Sequence, residues 1–374
     1  YTEATGYLGL KRDNDEYKLM GLAPYGNYKY SINTLKKIIQ IDDKNPLEFK
    51  NKTNYWMYSM AQHLQKRFKE HRFDNVAAAT QKHFEDLMIK WITNAIKKTN
   101  IHKIAMSGGV FLNVKVNKKI RELKEVEKMF VYPAAGDGGT AAGAGLEAYF
   151  QYCKIKDLKY KRFPLKQIYY GPEYDNALIE KYLERYKTKY HYERIDKIEE
   201  YLAENIIKGK IFGRFSERME WGPRALGNRS IVADPREIKV IKKINEMIKY
   251  RTWWMPFAPT ILKERAEDYL VNPVKAPYMI DAFDTTSNRK DIIASIHPYD
   301  ETCRPQILEE DWNPSYHRLI SKFQELTGVG AVLNTSFNLH GYPIVCSPRN
   351  ALWVLDNSKL DGVAIGNYLI SKRK

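Results

Sequence analysis

The 374-residue chain carries 61 Lys+Arg against 45 Asp+Glu, a formal net charge of +16, with 44% hydrophobic and 13% aromatic residues. That length and apolar content allow about two domains with sizeable cores and exclude a disordered chain, while the charge favours anionic ligands. Cys153, Cys303 and Cys346 are odd in number and lack paired metal-ligand spacing, which points to the reducing cytoplasm and away from a cysteine-rich zinc site. No apolar run approaches membrane-span length.

In chain order, residues 1–26 read as an extended or hairpin segment closing on the turn-rich Met20-Gly21-Leu22-Ala23-Pro24-Tyr25-Gly26. Ala77, Phe84, Leu87, Met88, Trp91, Ile92 and Ala95 recur at helical spacing, which predicts a helix over 76–96. A strand over 103–106 runs into Ser107-Gly108-Gly109-Val110, and a helix covers 113–123. A second strand, 128–132, enters Pro133-Ala134-Ala135-Gly136-Asp137-Gly138-Gly139, and a small-residue helix runs from 140 to about 149. Strand, glycine turn and helix, twice in succession, form an α/β arrangement with ligand loops at the carboxyl ends of its strands. The basic, aperiodic stretch 154–166 reads as a linker. A second α/β or α+β domain follows, with helices near 175–187, 196–207, 237–249, 314–327 and 348–356. Its strands are predicted near 210–215, 278–283, 292–297, 302–307, 329–334 and 361–370.

Glycine permits positive φ and close approach, so Ser107-Gly108-Gly109 can bring backbone amides to a nucleotide, although a plain tight turn reads the same. Gly136-Asp137-Gly138-Gly139 says more. It sets one carboxylate between glycines before a helix start, where amides favour phosphate and the carboxylate can hold a metal or simply cap the helix. Residues 213–236 thread Arg214, Arg218, Arg224, Arg229 and Arg236 through Gly222-Pro223 and Asp234-Pro235, which break a helix, beside Trp221, Leu226 and Ile231, which need burial. Guanidinium groups on such a scaffold suit bidentate capture of phosphate or carboxylate oxygens. Surface ion pairs with Glu217, Glu220 and Asp234 are the alternative and would contribute little.

Lys249 and Arg251 precede Trp253-Trp254-Met255-Pro256-Phe257-Ala258-Pro259, where lysine either snorkels from an aromatic patch or supplies a point charge for phosphate. Asn334-Thr335-Ser336-Phe337-Asn338 presents amides and hydroxyls at the end of an apolar run, more than backbone satisfaction requires. The eight histidines form no pair at i, i+4, and no Ser/His/Asp or Cys/His arrangement stands out.

Glu16 to Gly26, Ser107 to Asn113, Ala134 to Gly139, Gly222 to Arg236, Pro256 to Pro259 and Asn334 to Pro343 together resemble the O-carbamoyltransferases of nodulation and antibiotic tailoring. The resemblance implies the later half of an actin-like (ASKHA-type) ATPase domain over 1–160 and a YrdC-like domain over 161–374. In the second, carbamoyl phosphate and ATP would give carbamoyl-adenylate and pyrophosphate; in the first, the hydroxyl of a small-molecule acceptor (a sugar or natural product) would take the carbamoyl group. Arg224, Arg229, Lys249 and Arg304 match phosphate-binding positions, with Asn334 and Ser336 orienting the carbamoyl or phosphate groups; Lys249, Arg304 and Ser336 are the expected catalytic residues. Gly108, Gly109, Asn113 and Gly138 match the adenylate-binding loops, and Asp137 matches a metal ligand, iron first, with magnesium accompanying ATP. The family's arginine before Pro-Phe-Ala-Pro is Met255 here, and Arg251 is its expected replacement. The family's histidine pair has no counterpart, so the chain is expected to lack the N-terminal part and Tyr1 to begin inside a longer protein.

Two other readings stand beside this one. The charge and the 27 tyrosines suit a nucleic-acid-binding protein, or carbamoylation of a modified nucleobase, with affinity falling steeply in salt. A sugar-kinase-like phosphotransferase with Asp137 as base would leave the second domain unexplained.

Overall fold

Five helices open the chain: α1 (Thr2–Tyr7), α2 (Glu16–Leu22), α3 (Ile32–Lys36), α4 (Met57–Phe68) and α5 (Phe73–Thr99), in a computed structural model that describes residues 1–373. Lys374, the last residue of the basic end, lies outside them. The expected extended or hairpin form of residues 1–26 is thereby corrected. Leu19 and Leu22, one turn apart, are buried in one cluster with Phe68 of α4 and with Val76, Ala77 and Ala79 of α5. Helical spacing gives α2 that apolar stripe, which an alternating strand could not form. Gly26 is required at the turn beyond, because a Cβ there would lie 2.0 Å from the Asp74 carbonyl oxygen.

β1 (Ile39–Ile41) and β2 (Phe49–Asn51) form a small antiparallel hairpin between α3 and α4. β3 (Lys103–Met106) and β4 (Lys128–Val131) are parallel, connected through α6 (Val114–Arg121), and α7 (Thr140–Ile155) follows β4. The paired strand–turn–helix units therefore stand as expected. The amide of Gly108 donates to the carbonyl of Ala135 at 2.7 Å, so the two glycine loops lie side by side.

Beyond the strandless stretch 156–175, the rest of the chain builds one mixed sheet. Its strands are β5 (Tyr190–Arg194), β6 (Phe212–Phe215), β7 (Arg229–Ala233), β8 (Ala258–Leu262), β9 (Gln306–Leu308), β10 (Ala331–Ser336), β11 (Gly362–Ile365) and β12 (Tyr368–Lys372). Their order is β5-β12-β11-β6-β7-β10-β8-β9, with β6/β11 and β8/β9 parallel and the other neighbours antiparallel. Helices α8 (Asn176–Glu184), α9 (Ile198–Ile206), α10 (Lys239–Ile244), α11 (Ala266–Tyr269), α12 (Pro314–Thr327) and α13 (Pro348–Asp356) accompany the sheet. The fold is mixed α/β.

Several expected strands differ. Residues 278–283 contribute only an isolated bridge, Phe283 to Cys303. The apolar run 292–297 overlaps a 3-10 segment, Ser287–Ser295, started by Thr286, whose hydroxyl accepts from the amide of Asn288. Residues 361–370 split into β11 and β12 around Gly366, whose φ of 53° makes the reversal. Conversely, β7 lies inside the arginine-rich stretch that reads as turns, because Ser230 to Val232 pair with both β6 and β10 and are wholly buried. The largest buried cluster joins Met88, Ile120 and Val131 to Phe212, Ile261 and Leu319, drawing on both sides of 154–166.

Glu220 holds the loop before β7. Its Oε1 accepts from the amides of Leu226, Asn228 and Arg229 at 2.7, 2.8 and 3.1 Å. Glu220→Ala would leave three buried donors without that acceptor and is expected to destabilise by about 3 kcal/mol, with Glu220→Gln costing less because one carbonyl oxygen remains. Urea unfolding of the two variants checks the order.

Candidate active site

The loops before β7, β8 and β9 and the loop after β10 leave the sheet along one edge, as the pairing pattern dictates. Between that edge, α2 and the start of α6 lies a cavity of about 470 Å³. Arg224, Lys249, Arg251, Arg304 and Ser336 line it, with Lys18 and Lys115 contributed from the first part of the chain.

Lys18 pairs with Asp15 at 2.9 Å and Lys115 with Asp300, whereas Lys249, Arg251 and Arg304 are held by neutral oxygens. Lys249 ends a π-helical turn, Asn245–Lys249, that continues α10, and Tyr250 leaves that turn with φ 45°. Its ammonium donates to the carbonyl of Ser336 at 2.5 Å, the Ser336 hydroxyl at 3.2 Å, and the carbonyl and Oδ1 of Asn338 at 3.1 and 2.6 Å. Arg251 donates to the carbonyl of Pro256 at 3.2 Å and the hydroxyl of Thr335 at 3.3 Å, and Arg304 to the carbonyl of Met279 at 3.1 Å. Nε of Arg224 is buried without a hydrogen-bond partner. Among the described residues none of the four is ion-paired.

The electrostatics follow. Burial and the charge of Arg251 push the Lys249 ammonium well below the ordinary lysine value. Burial takes Arg251 down to about 10, helped by Arg224, and burial with Arg224 and Arg251 lowers Arg304. The cavity's one lining carboxylate, Asp15, is taken up by Lys18, so four desolvated cations without an ion-pair partner among the described residues remain to suit a polyanion. Another surface cavity carries Glu173, Asp175, Glu199 and Glu200 and would repel such a ligand. His340, on the cation cavity's rim, has its pKa lowered by partial burial and by Lys18, Arg251 and Lys249.

The remaining arginines of 213–236 hold the scaffold. Arg214 donates to the carbonyl of Gly227, Oδ1 of Asn228 and the hydroxyl of Ser315. Arg218 donates to the carbonyls of Tyr170 and Gly171, and Arg236 grips Asp234. Arg229, expected at the phosphate, lies outside the cavity: it is fully buried over the Phe215 ring at 3.6 Å and donates to the carbonyls of Ser216, Glu217, Asn228 and Pro172. Asn334 also sits behind the wall, donating to the carbonyl of Ala225 and the hydroxyl of Thr260. Met255 lines the cavity and fills the space over Gly21, where a Cβ would lie 2.8 Å from its sulfur. Lys18, Lys115 and Asn338 escaped the sequence reading. Asn338 stood within a marked stretch, whereas Lys115, from the start of α6, lines the cavity while bonded to Asp300 and Thr302.

In the first part of the chain, Ser107, Gly108, Gly109, Asp137 and Gly138 are exposed on the adjacent loops. Gly108 has φ 112°, open to glycine alone at little cost. Asn113 caps α6, its Oδ1 accepting from the Val116 amide at 3.1 Å, and its side chain pairs with Gln81. Among the described residues no group of three His, Cys, Asp or Glu could hold a metal. Asp137 alone does not make a shell, so the expected iron site is not supported by its donor set.

Comparison with known proteins bears directly on this arrangement. A family model described as Carbamoyltransferase N-terminus matches residues 1–146, and one described as Carbamoyltransferase C-terminus matches residues 203–372. The nodulation protein NolO of Bradyrhizobium diazoefficiens is 31% identical over the whole chain, which covers 68% of it. The chain belongs to the carbamoyltransferase family. Two uncharacterized proteins of Methanocaldococcus jannaschii are 39% and 36% identical over the full chain, which spans 61% and 72% of their lengths. The match to the N-terminus model corrects the expectation that this carbamoyltransferase-family chain lacks the family's N-terminal part. Among solved structures, full-length HypF in its phosphate- and nucleotide-bound form is 16% identical with a TM-score of 0.32, over 47% of this chain and 26% of that one, too loose a likeness to bear on the fold.

The depressed Lys249 pKa sets a pH dependence. The unfolded lysine binds its proton more tightly, so this group makes the ligand-free protein more stable as pH rises toward 10.5. A bound polyanion favours the charged form. Stabilisation by pyrophosphate is therefore expected to be largest below the depressed value and to shrink as pH rises through it toward 10.5. Thermal melts with and without pyrophosphate across that range check it.

Proposed function

We propose that the chain carries out ATP-dependent O-carbamoyl transfer, with the cation cavity activating carbamoyl phosphate. The observation that carries this reading is the meeting of Arg224, Lys249, Arg251 and Arg304, none of them ion-paired among the described residues, in one cavity of a carbamoyltransferase-family chain. Two polyanions must be clamped together there, which several fixed cations do without reorganising as charge develops.

Mass balance sets the order of events. Water removes the phosphate of carbamoyl phosphate, leaving carbamate and inorganic phosphate. A carbamate oxygen then attacks the α-phosphorus of ATP, displacing pyrophosphate and forming carbamoyl-adenylate. Lys249 and Arg304 neutralise the phosphate oxygens, Arg224 and Arg251 hold the second polyanion, and Ser336 orients the carbamoyl group beside Lys249. We assign Asn334 and Arg229 to positioning these groups from behind. The amides of Gly108, Gly109 and Gly138, with Asn113 fixing their loop, would hold the adenylate while an acceptor hydroxyl attacks the carbamoyl carbon and AMP leaves. In this reading residues 1–160 form the actin-like transfer unit and 161–374 the YrdC-like activating unit. No step is routed through a metal at Asp137.

The chain incubated with carbamoyl phosphate and ATP is expected to release pyrophosphate only when both are present. Lys249→Ala and Arg304→Ala should each slow release by about a hundredfold. A folded wild-type chain that releases none would overturn the assignment.

A further inference from the structure

Arg304 owes its aim to one carbonyl. Among the described residues its guanidinium has a single hydrogen-bond partner, the carbonyl of Met279 at 3.1 Å. Met279 has φ 55°, the left-handed region that a residue with a Cβ enters only against steric resistance. Nine described non-glycine residues have positive φ, and Met279 alone of them is buried; the other eight are exposed. Its dihedrals set the plane of the peptide that follows, and with it the direction of the oxygen offered to Arg304. Such a conformation persists only where the surroundings over-determine it.

Both flanks of Met279 are held. Before it, the hydroxyl of Tyr278 donates to the carbonyl of Lys166 at 2.5 Å, and the carbonyl of Ala276 accepts from the amide of Ile307 at 2.9 Å. After it, α6 grips successive residues. Asn117 donates to the carbonyl of Ile280 at 2.7 Å. Arg121, one turn on and on the same face of the helix, donates to the carboxylate of Asp281 at 2.6 Å and the carbonyl of Ala282 at 2.9 Å. Lys118 pairs with Asp284. Asn117 is fully buried and sends its second hydrogen to the carbonyl of Phe111 at 2.8 Å, just beyond Gly108 and Gly109. Both neighbours are carbonyls, so the NH2 must face them, and Oδ1 is left without a partner. The side chain gives up its own acceptor to hold two backbones.

We propose that Asn117 and Arg121 are positioning residues for the cation cavity: by clamping residues 280–282 they keep Met279 left-handed, and so keep its carbonyl on Arg304. Freed from α6, Met279 would relax to negative φ and turn that carbonyl away. Arg224 and Arg251, whose charges oppose that of Arg304, would then push the unheld guanidinium out of place. The inference rests on the reading of the cavity as a polyanion site.

Calorimetric titration of pyrophosphate into the full chain tests it, with thermal melts showing that each variant is folded at the titration temperature. Arg304→Ala should weaken binding about a hundredfold. Asn117→Ala and Arg121→Ala should each weaken it about tenfold, and neither should weaken it further once Arg304 is alanine. Arg121, the less buried of the two, serves if the Asn117 variant does not fold. Glycine takes positive φ without steric cost, so Met279→Gly combined with either α6 substitution should restore most of the lost affinity. Folded α6 variants that bind pyrophosphate as the wild type does, that lose the same factor without Arg304, or that Met279→Gly leaves unrestored overturn the positioning role. A wild-type chain that binds no pyrophosphate, or an Arg304→Ala chain that binds it unchanged, overturns the polyanion reading itself and the inference with it.

Discussion

The structure turns on how four cations are kept in one cavity without being neutralised. A carboxylate beside Lys249 or Arg304 would stabilise the empty protein and abolish the attraction for a polyanion. Neutral dipoles solve both parts of the problem. The carbonyls of Ser336, Asn338, Pro256 and Met279 accept from Lys249, Arg251 and Arg304 while leaving the net charge intact. The cost is a site whose charges repel one another until an anion arrives, and the surrounding sheet has to hold that arrangement. It does so with loops that leave neighbouring strands along one edge, so that residues more than a hundred positions apart become adjacent.

Buried arginine serves two opposite ends within a single stretch of sequence. Arg214 and Arg229 donate to carbonyls and a hydroxyl and lie over aromatic faces, and they knit β6, β7 and the loop before them. Arg224, a few residues away, lines the cation cavity instead. Composition marks all five arginines of 213–236 alike. What separates them is which side of a strand or loop each occupies, and that depends on pairing partners distant in the chain.

The same limit explains what could be read in advance. Helices with a long apolar stripe, such as α5 and α12, and the paired strand–turn–helix units were legible because their periodicity is local. The strand β7 was hidden by its arginine and by flanking turn residues, and β8 by Ala258-Pro259 at its start, though Pro259 lies opposite Leu333 in the ladder. Residues 292–297 misled in the other direction, since burial alone does not distinguish a strand from a 3-10 segment. Within the site, Lys249, Arg251, Arg304 and Ser336 were legible through their motifs. Lys18 and Lys115 were not, because only the docking of α2 and α6 against the sheet edge brings them there.

The π-helical turn that carries Lys249 makes the site depend on how one helical turn is wound. A π turn amounts to one residue more than an α-helix would use, and each helical residue rotates the next by about 100°. Winding all of 239–249 as regular helix would swing the ammonium away from Ser336 and Asn338, whereas the wider π turn takes up the extra residue and keeps it there. The winding of one helical turn, as much as the identity of its residues, thus decides whether the fourth cation joins the other three.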